Sequence, residues 1–244
     1  YIVDAEIGES IHIDTDEFII STPTVSNFDD DDDLEVAFCS LQSGVLHVVN
    51  KDGSYVDNFP VQINEKVYSD LATADFDSNG ISDVVVATDS GQIYVVLDNG
   101  STASGFPFTA DAKFRGGPSL VDLDLDNVPE IVIGSDAGTV YMIDGTGSAY
   151  FETSIGESIR TSPALSVQDA SLSIVFSTET GKVYCLDQYG SVKIGWPVDI
   201  GDSPLHSPVL SDFDSNGIVD AVVASQTGSI SMVSDNLIFE NYFP

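Results

Sequence analysis

The chain has little positive charge: 7 Lys and Arg stand against 40 Asp and Glu, a formal net charge of -33. A surface of that sign makes nucleic acid and anionic membranes poor partners and leaves cations, basic proteins and neutral glycans. Cysteine is nearly absent. Cys39 and Cys185 lie in separate apolar, strand-like runs with neither redox nor metal-ligand spacing, so they read as buried free thiols. No run of 18 apolar residues exists, which excludes a transmembrane helix. No secretory leader is visible, and Tyr1 reads as a mature or trimmed start. There is no helical 3.6-residue apolar period of useful length. Histidine is limited to His12, His47 and His206, and no Ser, Cys or Lys sits in a nucleophile motif. The cations able to stabilise a developing anion are Lys51, Lys66, Lys113, Arg115, Arg160, Lys182 and Lys193. This inventory argues against an enzyme.

What is present is a repeat. Pro23, Leu71, Pro118, Pro163 and Pro208 hold equivalent places in five copies, spaced 48, 47, 45 and 45 residues apart. Each copy reads as four strands: a short first strand, an acidic turn, a β-branched second strand such as "DVVVAT" or "EIVIGS", a third such as "GQIYVVLD", and a fourth opening with "NFP", "GFP" or "GWP". Four strands in about 45 residues are the signature of a propeller blade. The expectation is an all-β, five-bladed β-propeller in one domain over 1–244, with blades near 21–65, 66–112, 113–158, 159–203 and 204–244. "AEIGESI" at 5–11 matches "TSIGESI" at 153–159, the outer strand of the third copy. On that match residues 2–11 are expected to supply the last blade's fourth strand and close the ring, hiding two sheet edges.

The turns between first and second strands carry the chemistry. "DFDSNGISD" offers side-chain oxygens from Asp75, Asp77, Asn79 and Asp83 and a carbonyl from Ile81, with Gly80 at the sharp turn. "DFDSNGIVD" offers Asp212, Asp214, Asn216 and Asp220, with Ile218 as carbonyl donor. "DLDLDNVPE" offers Asp122, Asp124, Asp126 and Glu130, with Val128 as carbonyl donor and Asn127 in the glycine place, which Asn tolerates. "NFDDDDDLE" offers Asn27, Asp29, Asp31 and Glu35, with Asp33 as carbonyl donor and Asp32 where glycine is expected. Calcium takes six to eight oxygens at about 2.3–2.6 Å, and alternate residues of a tight loop can supply them. An EF-hand would need Glu at position 12 and flanking helices; Val86 and Val223 stand there, inside β-branched runs. The fourth copy, "SVQDASLS", is two residues shorter, keeps only Asp169 and is expected to bind nothing. Calcium at two sites, and at up to four, is the cofactor expectation.

These loops, set between strands of a repeat, resemble the FG-GAP/VCBS calcium-binding propeller repeats of integrin-like propellers and secreted bacterial proteins. The resemblance spans almost the whole chain. It implies calcium-stabilised structure, an extracellular or cell-surface location and a recognition or adhesion role with a protein or glycan partner, and it implies no reaction. The end, "NLIFENYFP", is similar to the segment that opens type IX secretion sorting domains, and it equally fits the start of a fourth strand. The expected function is a secreted, non-catalytic binding, adhesion or structural module, with self-assembly among its options. The alternatives are a glycan-binding or glycan-active propeller and an accessory domain of a larger hydrolase. His47 occupies the place of Tyr94, Tyr141 and Tyr184 and reads as a packing variant. Trp196 matches Phe59 and Phe106 as a blade-packing aromatic.

Overall fold

The computed structural model describes residues 2–3, 10–110, 112–168, 171–204, 206–213, 215, 218–234 and 238–239. Among them there is no helix, and five four-stranded antiparallel sheets follow one another along the chain. Each is a simple meander. The first runs through Thr24–Ser26, Glu35–Cys39, Val45–Val49 and Val61–Gln62. The second runs through Ala72–Ala74, Asp83–Ala87, Gln92–Val96 and Phe108–Thr109. The third comprises Ser119–Val121, Glu130–Gly134, Thr139–Ile143 and Ala149–Ser154. The fourth comprises Ala164–Gln168, Ser171–Ser177, Lys182–Leu186 and Val198–Asp199. The fifth comprises Val209–Ser211, Asp220–Ala224, Ile230–Val233 and Ile238–Phe239.

The second and third strands of the first four sheets are largely buried on both faces, whereas Ile230 in the fifth sheet's third strand is exposed. Asp83–Ala87 and Glu130–Gly134 are buried at every residue, so their sequences are continuous β-branched runs rather than alternating ones. The burial comes from sheet stacking. One apolar cluster joins the first and second sheets through Leu46, Val48, Val84 and Val86. A second joins the second and third through Val85, Val95, Ile131 and Ile133. The next two join the third to the fourth and the fourth to the fifth. Phe114, Ile131 and Ile174 are fully buried, and each such side chain contributes roughly 1.5–3 kcal/mol. The first strands of successive sheets lie side by side from the first sheet to the fifth, so the sheets radiate from that line of short strands.

Acidic latches reinforce the stacking. Glu65 accepts hydrogen bonds from Ser90 Oγ and from Tyr94 Oη at 3.1 Å. Glu157 accepts from Thr178 Oγ1 at 2.9 Å and from Thr180 and Lys182. Asp202 accepts the Thr227 N–H at 3.1 Å and its hydroxyl. At the remaining equivalent pair both partners are alanine, Ala112 and Ala137, so acid and hydroxyl are lost together. Arg115 pairs with Asp89 at 2.8 Å and stacks over Tyr68, and Arg160 pairs with Asp136 at 2.7 Å. The scarce cations therefore brace neighbouring segments.

Ring closure by the N-terminus is where the structure departs from expectation. The fifth sheet's fourth strand is Ile238–Phe239, which pairs with Met232 and Val233. Ile2–Val3 pairs with Ser10–Ile11 in a separate two-stranded ribbon. Residues 5–9 of the matched heptapeptide lie outside the described residues. The heptapeptide likeness was out of register, because the Thr22-Pro23 and Ser162-Pro163 landmarks align 140 positions apart while the heptapeptides are 148 apart.

Candidate metal centres

Each acidic turn is built around its last carboxylate. Glu35 and Asp83 are 0% exposed, Asp220 1% and Glu130 2%, because each opens a buried second strand. One oxygen of each closes the loop by accepting the backbone N–H of its second residue. Phe28 donates to Glu35 Oε2 at 2.7 Å, Phe76 to Asp83 Oδ2 at 2.8 Å, Leu123 to Glu130 Oε2 at 2.7 Å and Phe213 to Asp220 Oδ2 at 2.9 Å. This clasp is a second role for the ninth position that its spacing as a ligand did not reveal.

In the first two loops the earlier carboxylates converge on that anchor, and in the third they gather with one another. In the first loop, oxygens of Asp29, Asp31 and Glu35 lie within 4.8 Å of one another; in the second, those of Asp75, Asp77 and Asp83; in the third, those of Asp122, Asp124 and Asp126. Glu130 lies buried next to the third group, its pKa raised by burial and then by the charges of Asp124 and Asp122. Burial pushes Asp83 up to about 6 and also raises Glu35, with neighbouring carboxylates adding to both shifts. Anions crowded out of water in this way call for a countercharge.

Loop geometry follows from local chemistry. Asp75 Oδ1 and Oδ2 accept the Asn79 and Gly80 N–H groups at 3.1 and 2.7 Å, and Asn79 Oδ1 accepts that of Ile81 at 2.7 Å. In the third loop Asp122 Oδ2 accepts from Asn127 and Asp126 Oδ1 from Val128. Ser78 and Leu125 at the fourth position, with Gly80 and Asn127 at the sixth, all have positive φ. In the first loop neither Asp30 nor Asp32 does. It turns instead through successive side-chain caps, Asn27 to Asp29, Asp29 to Asp31 and Asp31 to Asp33. An Asp in place of glycine thus changes the path but still gathers the carboxylates. In the last loop Asp214 and Asn216 lie outside the described residues, and Asp212 and Ile218 flank them. The fourth copy has no comparable loop: its strands pair up to Gln168 and Ser171, and Asp169 lies outside the described residues.

Three of the loop oxygens find no donor among the described residues. Glu35 Oε1 and Asp220 Oδ1 are buried without a hydrogen-bond partner, and Asp122 Oδ1 is in the same state on a less buried side chain. A buried carboxylate oxygen without a donor is costly, and a hard cation is the partner that a set of carboxylate and amide oxygens suits. The donor set therefore fits calcium.

In the first two sheets the turn after the third strand adds a neighbour that loop spacing does not reveal. Asp98 donates its N–H to Asp83 Oδ1 at 3.0 Å, and its Oδ1 accepts from Asn79 Nδ2 at 3.1 Å. Lys51, at the corresponding place in the first sheet, pairs with Asp33. In the third sheet the neighbour comes from the fourth strand, where Tyr150 donates to Asp124 Oδ2 at 3.1 Å. A cleft of about 450 Å³ opens between the first two loops, lined by Asp29, Asp30, Asp31, Asp57 and Asp98 over Phe28 and Val56.

Residues read as packing behave so. His47 is stacked on Phe38, hydrogen-bonded to Ser40 Oγ at 3.1 Å and Tyr55 Oη at 2.8 Å, with its pKa lowered by burial. Cys39 and Cys185 are buried thiols outside any disulfide among the described residues. Trp196 packs on the cluster between the fourth and fifth sheets.

No family model matches the chain, and no curated protein sequence matches it. Solved structures do. BamB from Moraxella catarrhalis superposes with a TM-score of 0.60 at 15% identity, over 93% of this chain and 62% of its own. BBS1N, crystallised in complex with ARL6DN, gives a TM-score of 0.61 at 11% identity, over 91% of this chain and 68% of its own. The V. cholerae biofilm matrix protein Bap1 gives 0.70 at 15% identity, over 99% of this chain and 42% of its own. These are β-propeller-like proteins, and the fold of this chain is of that kind. The chain spans 62% of BamB's length and 42% of Bap1's.

Proposed function

We propose that the chain is a calcium-stabilised, non-catalytic propeller module of the FG-GAP/VCBS type, working outside the cell as a protein-binding or structural part of a surface or matrix assembly. The observation that carries the calcium reading is the orphaned, fully buried Glu35 Oε1 beside Asp29 and Asp31. Its counterpart, Asp220 Oδ1, recurs at the same place in the repeat. A bound cation would pair these oxygens, offset the repulsion in each loop and lock the first strand of a blade to the second. Glu35, Asp83, Glu130 and Asp220 would both clasp the loop and supply charge. Asp75, Asp77 and Asn79, with their equivalents Asp29 and Asp31, Asp122, Asp124 and Asp126, and Asp212, Asp214 and Asn216, would complete the oxygen set. The second loop, with Asp98 added, would bind most tightly. The first, with Lys51 competing for its charge, would bind more weakly.

A net charge of -33 and an acidic cleft between the first two loops favour a basic protein surface as partner. The likeness to a matrix protein and to a propeller crystallised with a protein partner supports the same reading. The deciding experiment is thermal unfolding in chelator and in calcium, with elemental analysis of the purified protein. Calcium should raise the melting temperature reversibly. An unchanged melting curve together with no bound metal would sink the calcium reading, and turnover on a polysaccharide panel would sink the non-catalytic one.

A further inference from the structure

The N-terminal ribbon has a counterpart within the chain. Ile2 pairs with Ile11, and 140 positions on Met142 pairs with Phe151, across the third and fourth strands of the third sheet. The sequences agree in that register, "YIVD" at 1–4 with "YMID" at 141–144. Contacts onward agree too. A Cβ on Gly53 would meet Ile11 at 2.8 Å and Ile13 at 3.8 Å; one on Gly190 would meet Thr153 at 2.5 Å and Phe151 at 2.7 Å, the register equivalents. Glu17 accepts from Ser43 N–H and Oγ at 3.2 and 2.9 Å, as Glu157 accepts from Thr178 and Thr180. Residues 10–17, with Ile2–Val3 paired to them, thus stand against the first sheet as the outer half of the third sheet stands against the fourth.

The inner half of that unit is what the flank lacks. Val67, Phe114 and Ile159 are each 0% exposed, whereas Ile19 at the same place is 40% exposed. Ile159, between the third and fourth sheets, lies over Gly134 of the third sheet's second strand and donates its N–H to Ser135 O at 3.1 Å. Pro23 is exposed where Leu71, Pro118, Pro163 and Pro208 are buried, and Val25 is 57% exposed where its equivalents are half-buried. The fifth sheet does not supply the missing strands, because it has its own third and fourth strands.

We propose that Ile2–Val3 and Ser10–Ile11 belong to the third and fourth strands of a sixth blade, and that the flank of Ile19, Pro23 and Val25 docks that blade's first two strands, a segment of the same repeat from outside residues 1–244. The occupant follows from continuity with four interfaces of one design. It is a hairpin of about 24 residues, read from the repeat length, joined by a turn of the acidic kind and ending its second strand in a small residue beneath Ile19. The ring then holds more than five blades. This stands independently of whether the loops bind calcium.

The test compares Ile19→Asp with Ile159→Asp in the 244-residue chain. An uncovered Ile19 predicts a melting temperature within about 2 °C of the parent, while Ile159→Asp lowers it by about 10 °C or more, or prevents folding. If the latter does not fold, Ile159→Ser against Ile19→Ser gives the same contrast. Residues 117–140 fused directly ahead of Tyr1, whose register equivalent is Tyr141, then stand in for the missing strands. The fusion should melt higher than the parent and make Ile19→Asp as damaging as Ile159→Asp. Equal damage from both substitutions in the unfused monomer would mean the flank is closed by this chain, and would overturn the proposal. So would an oligomer by sedimentation that Ile19→Asp splits into monomers, and so would a fusion with no gain in melting temperature.

Discussion

The backbone N–H of Phe76 donates to Asp83 Oδ2 at 2.8 Å, on a carboxylate with no exposed surface. Asp83 is therefore both clasp and candidate ligand, and Asp83→Asn separates the roles. The amide oxygen still accepts the Phe76 N–H, while the charge is gone and the amide nitrogen can no longer accept the Asp98 N–H. In chelator at neutral pH the relief of a crowded buried anion and the loss of the Asp98 bond oppose one another, so the variant should stay within about 2 kcal/mol of the parent. In calcium it should bind one ion fewer by titration calorimetry. It should also lose about 3 kcal/mol of calcium-dependent stability at a hundredfold excess over Kd, about 5–10 °C in melting temperature.

The raised carboxyls set the pH response of the metal-free protein. Burial lifts Asp83 from 3.8 to about 6 and raises Glu35 and Glu130. A group whose folded pKa exceeds its unfolded one takes up a proton on folding, so stability rises as pH falls from about 7 through 6 towards the unfolded value. In chelator, the melting temperature at pH 5 should exceed that at pH 7 by a few degrees. Calcium competes with the same protons, so its stabilising effect should fade over that window. A flat profile in chelator would count against buried carboxylates in these loops.

Lys51 and Asp98 should set the ranking of the sites. Removing the ammonium with Lys51→Ala frees Asp33 and should tighten calcium at the first loop by about tenfold or less, as expected for an exposed pair. Asp98→Asn should weaken the second loop by a similar factor. Calorimetric titration of both variants measures this; identical isotherms would show that the turn residues do not act on the loops.

The Glu157 latch should behave oppositely to the buried loop carboxylates. Hydrogen bonding to Lys182, then Thr180 and Thr178, lowers its pKa from 4.5 to about 2, against a burial penalty. Its stabilising contribution is complete above about pH 4.5 and fades as pH falls towards 2. Glu157→Gln should cost about 1 kcal/mol at pH 7 after allowance for solvent screening. Thermal unfolding at descending pH should find the parent and variant converging. A constant difference across pH would remove the ionic part of the latch.

Much of the site was legible because its spacing is local. Asp75, Asp77 and Asp83 converge because alternate residues of a tight turn point inward, and the same turn with Asp122, Asp124 and Asp126 tolerates Asn127 at positive φ. Asp98 and Lys51 were not legible as neighbours of the loops, since 15 or more residues separate each from its partner. The sheets' order was readable from period and turn residues. The attachment of the N-terminus was not: a two-residue pairing at Ile2 and Ile11 carries almost no local signal, and a heptapeptide likeness pointed to the wrong register.

The one-dimensional pattern settled the strands, the meander within each blade and the carboxylates that face one another, because those depend on neighbours within about ten residues. Stacking between blades was decided only in three dimensions. Which carboxylates lose their water, which hydroxyl meets Glu157 and whether Ile19 is covered depend on surfaces a whole repeat apart. Burial of apolar area has no direction, so identical repeats can stack in a ring of any size until the contacts at each flank are seen.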